Sequence, residues 1–186
     1  MIFPFSKPRF DWLQLEVTTY CNAMCGYCPH AVYGDKWQNR HMSLETFKKL
    51  LPYLQKTGHV HLQGWGEPLL NPDFFVMVKL AKKAGCRVGT TTNGMLVDDT
   101  TAERIVASGI DVIAFSLAGA GERNDASRGG TGLEAVLAGI KRLQKEKERT
   151  GAREPAVHVA YMLLRSSLED LGRLPDLLED RGVRSE

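Results

Sequence analysis

Residues 60–94 read VHLQGWGEPLLNPDFFVMVKLAKKAGCRVGTTTNG, and this stretch decides the fold. It opens on a short β-prone run, Val60–Gln63, and closes on another, Arg87–Thr91, with an amphipathic helical segment between them. The helix carries readable ends: Asn71 is the expected N-cap with Pro72 at the first helical position, and Gly85 stands where a C-terminal glycine is wanted. Strand, helix and strand at a spacing of about 30 residues make one βαβ unit.

The same alternation continues in both directions. Leu13–Val17, Val112–Phe115 and Val157–Leu163 are further strand candidates, mostly apolar rather than alternating, which suits strands buried on both faces of a parallel sheet. Phe47, Leu50, Leu51 and Leu54 follow Ser43 at core spacing, and Thr131 with Glu134 forms a capping box before Leu133, Val136, Leu137 and Ile140. In the last helix Leu168, Leu171, Leu174 and Leu178 repeat likewise, with a kink expected at Pro175. The pattern predicts an α/β fold of about five βα units, either an open doubly wound sheet or a partial (β/α) barrel. A sixth strand is expected to begin at GVRSE, so the fold is expected to be truncated at its C-terminus.

With 186 residues, 43% hydrophobic and 25% charged content, the chain can build one sizeable core and reads as a single domain, 1–186. A formal charge of +2 from nearly balanced acids and bases calls for neither nucleic acid nor an anionic membrane as partner. The run KRLQKEKER (141–149) interleaves its cations with glutamates, the pattern of a solvated helix face. No apolar stretch approaches the ~20 residues of a bilayer span, and MIFPFSKPRF lacks the layout of a signal peptide. These features point to the cytoplasm, where the four cysteines stay reduced and clustered ones serve as metal or redox groups.

Sites in such folds gather at the C-terminal ends of the strands. TTYCNAMCGYCPH (18–30) follows the first strand, GWGEPLLNPD (64–73) the second, TTNG (91–94) ends the third and SLAG (116–119) the fourth. All lie on one rim. Cys86 precedes its strand, so it belongs to the opposite end and is expected to be a buried, inert thiol. Cys21, Cys25 and Cys28, spaced C-x3-C-x2-C, can converge on one metal site. A structural zinc would take His30 as fourth ligand, whereas an iron–sulfur cluster on three thiolates would keep one iron open.

CNAMCGYC, with an aromatic before its last cysteine, resembles the cluster motif of the radical S-adenosylmethionine (SAM) superfamily, and GWGEPLLNPD resembles that family's glycine-glycine-glutamate segment. TTNG, FSLAG and RGG fall in the order of its later motifs, and the resemblance runs from about Trp12 to Gly182. It implies a [4Fe-4S] cluster on Cys21, Cys25 and Cys28 whose open iron is chelated by SAM. It also implies reductive cleavage of SAM to a 5′-deoxyadenosyl radical that abstracts hydrogen from a substrate. By the same resemblance Glu67, with the backbone of Gly64 and Gly66, holds the SAM amino group; Ser116 and Arg128 meet its carboxylate and ribose; Tyr27 and Met162 lie near the adenine; and Asn93 is a further rim contact. Related members carry SPASM or twitch domains with auxiliary clusters, none of which is expected within residues 1–186, and they suggest a peptide or a small cofactor precursor as substrate, with ferredoxin or flavodoxin as electron donor. Trp65 between the glycines and Ser167 after the fifth strand depart from the family pattern. The competing function class is a non-catalytic scaffold in which Cys21, Cys25, Cys28 and His30 hold zinc.

Overall fold

The computed structural model describes residues 10–179. Strand β1 (Phe10–Leu15) leads to a two-residue β2 (Met24–Cys25), α1 (Pro29–Tyr33), a 3-10 turn and α2 (Leu44–Leu54). The repeating part follows: β3 (Thr57–Leu62), α3 (Phe74–Lys83), β4 (Arg87–Thr92), α4 (Asp99–Ser108) and β5 (Val112–Leu117). Then come α5 (Glu122–Ser127), a two-residue β6 (Arg128–Gly129), α6 (Leu133–Thr150), β7 (Ala156–Tyr161), a 3-10 segment over Arg165–Arg173 and α7 (Leu174–Glu179). The five long strands form one sheet in the order β1-β3-β4-β5-β7, every pair parallel. This is the partial α/β barrel expected from the strand–helix repeat, with β1 and β7 at its edges. The expected sixth strand at GVRSE lies outside the described residues.

Burial shows which face of the sheet the helices cover. Along β5 Ile113, Phe115 and Leu117 are buried while Val112, Ala114 and Ser116 are partly open, and β3 buries Val60 and Leu62. Helices α2, α3, α4 and α6 pack side by side on the first face and contribute Phe47, Leu54, Phe74, Met77, Ile105, Val136, Leu137 and Ile140 to the core. Each large apolar side chain so buried contributes about 1.5–3 kcal/mol. The expectation of strands buried on both faces is therefore corrected: the second face lines the inside of an open barrel, and the near-continuous apolar runs include small residues there.

Several local expectations hold. Ser43 caps α2, its Oγ accepting from Thr46 N at 3.1 Å, and Gly85 follows α3 with φ +95°, a conformation closed to most side chains. Cys86 is buried at the far end of β4, its Sγ donating to Leu54 O at 3.2 Å. Others are corrected. Asn71 does not cap α3, which starts at Phe74; its buried amide donates to Val17 O (2.7 Å) and Met42 O (3.1 Å) and accepts from Asp73 N (2.9 Å). It clasps the segment after β1 to the segment before α2, a tertiary role that overrides local capping. Asn71→Ala is expected to cost roughly 1–3 kcal/mol in urea unfolding, because Met42 O and Asp73 N lose their side-chain partner while Val17 O keeps the Met42 N–H.

Thr131 also has another use: its Oγ1 donates to Arg128 O at 2.8 Å, and the first turn of α6 is held instead by Asp125 Oδ1, which accepts from Leu133 N at 2.7 Å. In the last helical stretch Ser167 and Asp170 are buried while Leu168 and Leu171 are exposed. The reason is polar: Asp170 accepts from Ala120 N at 3.0 Å, and Ser167 O accepts from the Tyr161 hydroxyl at 2.8 Å. Pro175 sits in the first turn of α7, at the point where the 3-10 segment over Arg165–Arg173 gives way to α-helix.

Candidate active site

A cavity of about 560 Å³ opens at the C-terminal ends of the strands, in the size range of small-molecule sites. Its walls include the cysteine loop (Cys21, Cys25, Tyr27, Cys28), the GWGE segment (Gly64 to Glu67), Asn93 after β4, Ser116 on β5, Arg128 and Met162. The three cysteines and the residues expected to hold SAM thus meet at one place, and His30 is not among them. Gln63, Thr92 and Ala160 also line it. The alternation of β4 could have pointed to Thr92; nothing local marks Gln63 or Ala160.

The cysteine loop is pinned from several sides. Cys25 pairs with Arg128 where β2 meets β6 antiparallel, so the ribbon that carries a thiol also delivers the guanidinium. Cys28 N donates to Cys25 O at 2.9 Å and Gly26 N to Ser127 O at 3.1 Å. Gly66 passes so close to this loop that a Cβ there would strike the backbone carbonyls of Thr18 and Tyr20, and Glu67 N donates to Tyr20 O at 2.7 Å. A glycine is required at that crossing. At Gly64 a Cβ would meet only the Glu16 side chain, whose Oε1 accepts from Trp65 N at 2.7 Å.

Glu67 is buried, and its carboxylate accepts from Leu69 N (3.2 Å), Thr92 Oγ1 (2.8 Å) and Asn93 N (2.6 Å). A carboxylate offers about four acceptor positions, so one remains for a ligand. Burial pushes the Glu67 carboxyl above its ordinary value, against the pull of these donors and of Arg128. Arg128, 5% exposed, donates through Nη1 to the Tyr27 hydroxyl (3.2 Å) and through Nε to Thr131 Oγ1 (3.4 Å). Its Nη2 donors have no protein partner among the described residues. Burial raises the Cys21 thiol; Ala23 N–H opposes this, and Glu67 and the thiols of Cys25 and Cys28 add to it.

Cys21, Cys25 and Cys28 all line the cavity, yet among the described residues no three Cys, His, Asp or Glu side chains are gathered closely enough to hold a single metal ion. The tetrahedral zinc set with His30 is therefore not assembled. His30 turns its ring edge toward Trp37 at 5.6 Å between centroids, and its buried Nδ1 has no partner. Thiols spread along a wall suit a cluster, in which each thiolate binds its own iron.

Fold and site define a class: an α/β barrel fragment whose cysteine-lined cavity sits on the rim where cofactors bind. The sequence profile of the Radical SAM superfamily matches residues 15–177, and the chain belongs to this superfamily of enzymes, which use a [4Fe-4S] cluster and SAM. It is 29% identical over 182 residues to the tungsten-containing aldehyde ferredoxin oxidoreductase cofactor-modifying protein of Pyrococcus furiosus, a match spanning 92% of this chain and 49% of that one. It is 28% identical over 184 residues to Fe-coproporphyrin III synthase of Methanosarcina barkeri, across 98% of this chain and 44% of the relative. Among solved structures, Streptococcus suis SuiB bound to SAM superposes with a TM-score of 0.74 at 18% identity, covering 94% of this chain and 39% of SuiB. SuiB has also been solved with its precursor peptide SuiA, with a TM-score of 0.73 and 17% identity, over 94% of this chain and 38% of that one. The chain thus spans about half the length of the curated relatives it matches. None of the described helices is long and apolar enough to cross a membrane.

Proposed function

We propose that this chain is the catalytic core of a radical SAM enzyme that cleaves SAM reductively and takes hydrogen from a peptide or cofactor-precursor substrate. The carrying observation is that one cavity is lined by Cys21, Cys25 and Cys28 together with Glu67, Asn93, Ser116, Arg128 and Met162. In this proposal the three thiolates seat the cluster, which when reduced supplies one electron to the sulfonium of SAM and so opens its C5′–S bond. The remaining acceptor position of Glu67 and the backbone of Gly64 and Gly66 bind the amino group of SAM. The Nη2 donors of Arg128 suit its carboxylate, and a guanidinium fork matches that group in shape. Ser116 takes the ribose, while Tyr27 and Met162 offer apolar surface to the adenine.

The substrate class is supported by the relatives' names, one modifying a cofactor and one making a porphyrin, and by the peptide bound to SuiB. The cluster's electron comes, in this proposal, from a low-potential donor such as ferredoxin or flavodoxin. The test is anaerobic purification and reconstitution. The protein is expected to be brown, to bleach with dithionite and to convert SAM to 5′-deoxyadenosine; a colourless protein with one equivalent of zinc would sink the proposal.

A further inference from the structure

Asn93, 6% exposed, uses its main-chain N–H and both ends of its side-chain amide to join the three rim loops. Its N–H donates to Glu67 Oε2 at 2.6 Å, and its Oδ1 accepts from Met95 N at 3.0 Å. A main-chain N–H can only donate, so the bond from Met95 fixes which amide atom is oxygen and which nitrogen. The nitrogen then points at the cysteine loop. One of its two hydrogens is taken by Asn22 Oδ1 at 2.7 Å, and the other faces Cys21 Sγ at 3.9 Å. Both donors are used, and the second lies against a sulfur that lines the cavity.

We propose that Asn93 is a positioning residue for the iron–sulfur cluster: it ties the cysteine loop to the Glu67 brace through Asn22 and raises the cluster's reduction potential by donating to the Cys21 sulfur. This assignment rests on the cluster being seated at Cys21, Cys25 and Cys28. The electron added on reduction is shared with the ligand sulfurs, so a donor to one of them stabilises the reduced form more than the oxidised form. Ala23 N supplies a second donor to the same sulfur at 3.4 Å, so removing Asn93 lowers the potential without stripping the sulfur bare.

The experiment is an EPR-monitored redox titration of the anaerobically reconstituted chain, with iron and sulfide counted in each sample. Asn93→Ser keeps a hydroxyl that can serve Met95 N in the same local turn but cannot reach Cys21. Its equilibrium constant for one-electron reduction is expected to fall roughly tenfold, which is about 59 mV. Asn93→Asp keeps the shape without the donors and is expected to fall further, because its charge lies beside the sulfur; it also stands in if the serine variant assembles too little cluster. Asn22→Ala leaves the bond to sulfur and is expected to change the constant by less than about threefold, a fraction of the tenfold step. Unchanged potentials in both Asn93 variants, or an Asn22→Ala shift as large as theirs, would overturn the proposal. A Cys21→Ala chain that still bound the wild-type cluster would show instead that its seat is misplaced, which iron counting detects separately.

Discussion

Cys25→Ala is expected to abolish cluster binding and SAM cleavage while leaving the chain folded. Cys25 is one of three thiols on the cavity wall, and the scaffold that carries it is made of backbone bonds that alanine keeps: the pairing of β2 with β6 and the Cys28 N to Cys25 O bond. The lost group is therefore chemical, not architectural. Two thiolates hold a cluster poorly because most such centres use four, and in the proposed site one corner is already given to SAM. Reconstituted Cys25→Ala should contain less than about a tenth of the wild-type iron and form no 5′-deoxyadenosine, an effect beyond about 10³-fold given what a lost metal centre removes. Cys86→Ala is the matched control. Its thiol is buried at the other end of β4 against Leu54 O, so full iron content is expected, with a modest loss of stability. Equal iron in wild type and Cys25→Ala would remove the cysteine loop from the mechanism.

Glu67→Ala is expected to be the most destabilising change on the rim, by about 3–5 kcal/mol, since it leaves Leu69 N, Thr92 Oγ1 and Asn93 N without their acceptor. That is a large share of the 5–15 kcal/mol that holds an ordinary domain folded. The same change frees Asn93 and with it the cysteine loop, so iron occupancy should drop along with SAM affinity. Glu67→Gln separates charge from shape. Burial raises the Glu67 carboxyl in the folded chain, so between its ordinary value and the raised one the native state binds more protons than the unfolded state. Stability from this group is then fully present at acid pH and declines as pH climbs through that window. Urea titrations from about pH 4 upward should show this slope in wild type and a flatter profile in Glu67→Gln. Wild-type stability in Glu67→Ala would show that the carboxylate braces nothing.

Much of the fold was legible because it is written in local period and punctuation. Apolar runs such as Val60–Gln63 and Arg87–Thr91, separated by a helix-length segment ending at Gly85, leave few alternatives to parallel strands with crossover helices. Helix ends were less legible where a polar side chain had a better partner far away in sequence. Asn71 and Asp170 are good local cappers by type, and both are spent on tertiary bonds, to Val17 and Met42 and to Ala120, whereas Thr131 turns back on Arg128 three residues before it. A buried carbonyl or N–H without a partner costs more than a helix cap is worth, so the tertiary bond prevails.

By itself the sequence determined the strand–helix alternation, the rim on which the motifs fall, the three clustered thiols and the isolation of Cys86, since spacing and order along the chain suffice for these. Only the tertiary structure decided that one face of the sheet stays uncovered, that His30 packs against Trp37, and that Glu67 and Asn93 form a brace between the loops after β1, β3 and β4. The physical reason is range. Periodicity and capping act within a few residues, whereas a buried carboxylate is satisfied by whichever donors the packed strands bring to it.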